Sequence, residues 1–141
     1  MKKIFIVLIV LLTISCKNNK EEISETLSKD KIVKLSFKNN EKLFFKTNMH
    51  GITGNHQQIV LSKQNDKGFN NEKDYVFYSS EIYYRKTGDS LIIFAPECCF
   101  LEPSEKNTKL TISIIGLKKA SEIDDYEDNY TKYKLERISV Y

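Results

Sequence analysis

The stretch EIYYRKTGDSLIIF, residues 81–94, decides the fold class. Ile82, Tyr83 and Tyr84 run into Thr87, Gly88 and Asp89, and the chain returns as Leu91, Ile92, Ile93 and Phe94. Two runs of β-branched, aromatic and aliphatic residues thus flank a short polar segment, the pattern of a hairpin. Gly88 has no Cβ and can take the left-handed backbone that a tight hairpin turn needs. Just upstream, YVFY at residues 75–78 predicts a further strand, set off from the hairpin by Ser79 and Ser80.

Working outward, Val33, Leu35 and Phe37 alternate with Lys34 and Ser36, which predicts a strand with one apolar face. Asn39 and Asn40 supply a turn, and Leu43, Phe44 and Phe45 begin a second strand. Residues 49–57, MHGITGNHQ, hold two of the five glycines and read as a loop before a third strand at 58–62. Residues 63–74, KQNDKGFNNEKD, have Phe69 as their one apolar member and form a long connection. Downstream, Pro96 and Pro103 punctuate a loop, and residues 109–115 alternate Leu110, Ile112 and Ile114 against Thr111 and Ser113. The acidic run with Glu122, Asp124, Asp125, Glu127 and Asp128 has room for a helical turn over 120–123. In the last strand, 133–141, Ile138 and Val140 are out of phase with Tyr133 and Leu135, which predicts a bulge near Arg137.

Seven or eight short strands between residues 32 and 141, with little helix, predict an all-β domain. A small β-sandwich of immunoglobulin-like or Greek-key type is the first expectation and a small β-barrel the second. The chain has no tryptophan, and residues 32–141 have no cysteine pair spaced as in antibody domains, so strand count alone carries this expectation.

The N-terminus has a different logic. Lys2 and Lys3 precede an apolar run from Ile4 to Leu12, closed by Thr13, Ile14 and Ser15 before Cys16. That is the layout of a secretory signal, and the run is shorter than the roughly 20 apolar residues that span a bilayer as a helix. Ser15 and Cys16 resemble the lipobox of bacterial lipoproteins, and the chain overall resembles small lipoproteins of the Bacteroidota. The resemblance implies cleavage after residue 15, a lipid on the Cys16 sulfur and attachment to the outer membrane. Several acyl chains hold a protein on a membrane durably, at on the order of 0.8 kcal/mol per buried CH₂. Residues 16–31, with only Ile23 and Leu27 apolar beyond Cys16, read as a lipidated end and solvated tether. Lys20, Glu21 and Glu22 resemble the signal that exports some of these lipoproteins to the cell surface. The surface and periplasmic faces both stay open.

Removal of residues 1–15 takes away two of the 22 basic side chains and none of the 19 acidic ones, leaving a nearly neutral chain. Such a chain lacks the concentrated positive charge that nucleic acid requires, so no nucleic acid is expected as a partner. The sequence has neither a nucleophile elbow nor a phosphate-binding glycine loop, and the acidic run lacks the glycine and alternation of a calcium loop. No enzyme and no cofactor are therefore expected.

Three groups of residues remain as site candidates. Cys98 and Cys99 are adjacent; they read as a redox pair, as inert thiols or as one thiol bonded to another molecule. His50 and His56 could join them as two nitrogens and two sulfurs around Zn²⁺ or Cu⁺, although the spacing fits no compact metal motif. Tyr83 and Tyr84 point to opposite faces of one strand; they read either as rings packed between sheet and loop or as an interaction surface with one aromatic exposed. The functional expectation is a membrane-anchored, non-enzymatic binding domain with a protein or glycan partner. An inhibitor or immunity-type protective protein is the alternative, with a thiol-redox protein using Cys98 and Cys99 third.

Cys16→Ser is expected to remove the lipid and move the protein from the membrane to the soluble fraction. Retention in a salt-washed membrane pellet would show that an uncleaved apolar segment, not a lipid, is the anchor.

Overall fold

Side-chain alternation builds two sheets. The computed structural model describes residues 31–50 and 56–141, the side chain of His50 excepted. The proposed signal, Cys16, Lys20, Glu21, Glu22, and Gly51 and Gly54 of the glycine loop lie outside the described residues. The strands are β1 (Ile32–Ser36), β2 (Lys42–His50), β3 (His56–Ser62), β4 (Tyr75–Phe77), β5 (Glu81–Thr87), β6 (Ser90–Pro96), β7 (Phe100–Leu101), β8 (Thr111–Leu117) and β9 (Glu136–Ser139), with one helix, α1 (Ala120–Asn129), between the last two. One sheet has the order β1-β2-β3-β4-β7 and the other β8-β6-β5-β9. The domain is a small β-sandwich, and the two separate sheets replace the alternative expectation of a closed barrel.

The first sheet is an antiparallel meander from β1 to β4, with the two-residue β7 added beyond β4. The second has the spatial order β9-β5-β6-β8, a Greek-key order except that β8 runs parallel to β6. Neither sheet follows the strand order of an immunoglobulin domain. The parallel pair arises because the chain leaves β6, makes β7 in the opposite sheet and only then returns as β8.

Inner faces of both sheets make the main core. Leu35, Leu43, Phe45, Ile59, Leu61 and Phe77 meet Ile82, Tyr84, Leu91, Ile93 and Ile138 there. The expected hairpin at β5 and β6 is present, with Gly88 at φ 62° in its turn. Asn40, in the turn expected between β1 and β2, also has a left-handed backbone, φ 67°, which asparagine tolerates.

A second apolar cluster lies on the outer face of the second sheet. Tyr83, Phe94 and Leu135 are buried there, with Ile92, Tyr126 and Tyr130 packed against them. Helix α1 brings this cover, so the expected single turn over 120–123 is in fact ten residues long. The Glu122 carboxylate starts it by accepting from the backbone N–H groups of Lys118 (2.8 Å) and Lys119 (3.2 Å).

Other expectations shift for the same reason, burial on two faces. No bulge interrupts β9: Ser139, Ile138, Arg137 and Glu136 pair in unbroken register with Glu81, Ile82, Tyr83 and Tyr84. Leu135 points to the outer cluster, whereas Ile138 points to the main core. The loop expected over 49–57 is shortened from both ends, since β2 and β3 pair out to His50 and His56. The outer face of the first sheet carries a buried lysine, Lys46, 2 % exposed. Its ammonium lies 3.5 Å from Asp66 and donates to the Gly68 carbonyl, so the long 63–74 connection supplies its counter-charge and acceptor.

Strand β8 sits at a sheet edge, so Ile112 and Ile114 face the core as expected but are only half-buried. Removing Phe45, fully buried, should therefore cost far more than removing Ile112. Phe45→Ala is expected to lower stability by about 3–5 kcal/mol, and Ile112→Ala by about 2 kcal/mol or less. Urea melts of the purified chain give the comparison, and equal losses would contradict the placement of β8 at the edge.

Candidate functional site

Tyr83 and Tyr84 do not form an interaction surface. Each is 2 % exposed. Tyr84 packs its ring 5.1 Å from that of Phe45 and donates its hydroxyl to Glu136 at 2.7 Å. Tyr83 lies under α1, with its ring 6.0 Å from Tyr126 and 5.7 Å from Tyr130, and donates its hydroxyl to Glu81. Burial, reinforced by the neighbouring carboxylates, pushes both phenols above the usual tyrosine range. Of the two readings the packed one holds and the exposed one does not, because both faces of β5 are covered at these two residues.

The expected site of two histidines and two cysteines lies partly outside the described residues, because the His50 side chain is not among them. His50 and His56 are directly opposite one another at the end of the β2–β3 ladder. Cys98 and Cys99 lie in the turn between β6 and β7, and β7 is separated from β3 by β4, at about 4.8 Å per strand. The two sulfurs are bonded to each other, so neither is a free thiolate. Among the described residues no group of three or more histidine, cysteine or acidic side chains is placed to hold a metal ion.

The cysteine turn occupies a corner of the fold. Residues 97–99 carry the chain from the second sheet to the first. The Cys99 N–H donates to the Pro96 carbonyl at 3.1 Å, and the Cys99 carbonyl accepts from the Tyr78 N–H at 2.8 Å. Two residues earlier, the Glu97 N–H donates to the Leu117 carbonyl at 3.0 Å, which ties the turn to the end of β8. A Cβ at Gly116 would fall 2.9 Å from the Glu97 Cβ, so glycine is what lets strand and turn approach. Glu97 also lies 3.5 Å from the Lys118 ammonium, at the surface.

Beside this corner runs the free edge of β8. The Thr111 N–H donates to the carbonyl of Asp89, just before β6, and the Leu117 carbonyl accepts from Glu97. Backbone groups alternate sides along a strand, so those of Ile112, Ile114 and Gly116 point away from β6. Among the described residues no strand lies on that side. The other three edges are blunted in ways that discourage pairing: β1 has Lys34 at its centre, β7 has two residues, and β9 has four, including Glu136 and Arg137. β8 is seven residues, TISIIGL, with no charge and no proline, and Ile115 is 45 % exposed on it.

A recess of about 30 Å³ opens at the other end of β8, between Leu43, Leu61, Tyr75 and Ile112 and a rim that includes Lys73 and Lys106. It holds at most about one water. Next to it, Glu41 clamps the connection that leads into β8. Its carboxylate accepts from the Thr108 hydroxyl at 2.7 Å, from the Lys63 ammonium at 3.1 Å and from the Lys109 N–H at 3.2 Å. These donors, Thr108 foremost, hold its pKa down at about 2, against partial burial that would raise it. Comparison with protein-family models, curated proteins and solved structures gives no match for this chain.

Because the Glu41 carboxyl is depressed in the folded chain, its contribution to stability is fully present above about pH 4.5 and is lost as pH falls toward about 2. Glu41→Gln is expected to be less stable than the native chain at neutral pH, with the difference shrinking on acidification through that window. Urea melts at several pH values check this, and a constant difference would show that Glu41 acts through shape, not charge.

Proposed function

We propose that this chain is a lipid-anchored envelope protein whose folded domain is a non-enzymatic binding module, and that it takes an extended segment of a protein partner along the β8 edge. The observation that carries this reading is the contrast between edges: three are protected and one is long, uncharged and open. An extended peptide that adds to such an edge gains main-chain hydrogen bonds, and its alternate side chains give specificity. Lysines flank the edge at both ends, Lys109 before it and Lys118 and Lys119 after it. They favour a partner strand that is apolar in the middle and acidic at its ends. A second copy fits less well, because antiparallel self-pairing centred on Ile114 would set Lys109 of one copy opposite Lys119 of the other.

Residues 17–30 precede the folded domain and would set its reach from the proposed lipid at Cys16. A glycan partner is less well supported, since the β8 edge offers backbone groups and aliphatic side chains and no exposed aromatic platform.

A photoreactive side chain at Ser113, in the full-length protein in intact envelopes, is expected to crosslink one distinct protein. The same group at Lys34 on the β1 edge should not, and Ile115→Lys should abolish the Ser113 product. Equal yields from both positions, or a product with a second copy alone, would overturn the reading.

A further inference from the structure

We propose that Cys98–Cys99 is a thiol–disulfide exchange site that accepts electrons from a thioredoxin-like dithiol donor. The inference is independent of the β8 reading, because it rests on the covalent pair and on what holds the turn around it.

A disulfide stabilises a fold chiefly by closing a loop in the unfolded chain, and the effect grows with loop length. Cys98 and Cys99 are neighbours, so their bond closes no loop of chain and gives almost none of that stabilisation. The turn is instead fixed by backbone bonds that do not involve sulfur: Glu97 N–H to Leu117, Cys99 N–H to Pro96 and Tyr78 N–H to Cys99. Opening the bond therefore leaves the connection between the sheets in place.

Access is unequal. Cys98 is exposed, whereas Cys99 is half-buried. Exchange proceeds by attack of a thiolate on an accessible disulfide sulfur, and exposed bonds are the ones that react. In the first step the donor thiolate attacks the Cys98 Sγ, the Sγ–Sγ bond breaks, and Cys99 leaves as a thiolate that takes a proton. A mixed disulfide now joins the donor to Cys98. In the second step the donor's other thiol, losing its proton, attacks its own partner sulfur and releases Cys98 as a thiol. Two electrons and two protons pass from the donor, which ends as a disulfide, to the pair, which ends as two thiols.

The test uses the full chain carrying Cys16→Ser, so that only Cys98 and Cys99 react, with maleimide labelling read by intact mass. No label is expected before reduction, and two labels per chain after incubation of the native protein with a reduced thioredoxin-like donor. The urea midpoint should be the same for oxidised protein, reduced protein and the Cys98→Ser, Cys99→Ser double variant. A donor lacking its second cysteine should be trapped on Cys98. Two labels before reduction, reaction only in urea, a lower urea midpoint on reduction, or trapping on Cys99 would each overturn the proposal.

Discussion

Neighbouring residues on a strand point to opposite faces, and on β5 both of those neighbours are tyrosines. Each ring is too large and apolar to leave cheaply in water, and each hydroxyl costs free energy if it is buried without a partner. The fold answers both demands on both sides. Tyr84 enters the core against Phe45 and reaches Glu136, and Tyr83 sits beneath α1 and reaches Glu81. The second sheet thereby needs two covers, the first sheet and the helix. Helix α1 meets this with Tyr126, and with Tyr130 just past its end, while most of its acids stay in water. Arg137 completes the outer layer, 5.2 Å over the Tyr130 ring and 3.7 Å from Glu81.

That constraint also separates what was legible in the sequence from what was not. Strict alternation exposed β1, and the turn chemistry around Gly88 exposed the hairpin, because each signal is local. The phase change between Leu135 and Ile138 was legible too, but its meaning depends on how many faces are covered. With one dry face it implies a bulge; with two it is plain alternation. Helix α1 was foreshortened because Asp, Asn and Tyr are indifferent helix formers, and Ile123 and Tyr126 are its only large apolar residues. β7, with two residues, has too little sequence to carry any period. Alternation on β8 gave the right inward residues, yet nothing local tells a strand that it will lie at an edge.

The candidate site divides in the same way. Adjacency of Cys98 and Cys99 is written in the chain, but their position at the passage from one sheet to the other is a property of topology. His50 and His56 are close in sequence, and the ladder sets their backbones opposite one another. What the sequence could not show is that β4 stands between the cysteine turn and β3. The open β8 edge had no local signature beyond the uncharged run TISIIGL, which reads equally well as a central strand.

Once β8 is placed at the edge, its rigidity becomes the relevant property. Upstream, the Glu41 carboxylate holds Thr108 and the Lys109 N–H, and the Thr111 N–H is bonded to Asp89. Downstream, Leu117 is bonded to Glu97, and Gly116 lets that contact close. Ile112 and Ile114 pin the middle by entering the core. The outward N–H and C=O groups are thus fixed in an extended array before any partner arrives. In strand addition the ordering entropy then falls almost wholly on the incoming segment, at roughly 1–2 kcal/mol per residue for its backbone. Under the strand-addition proposal, seven residues of edge would offset that cost only with well-placed partner side chains, and an exposed Ile115 and lysines at both ends would then matter as much as the hydrogen bonds between them.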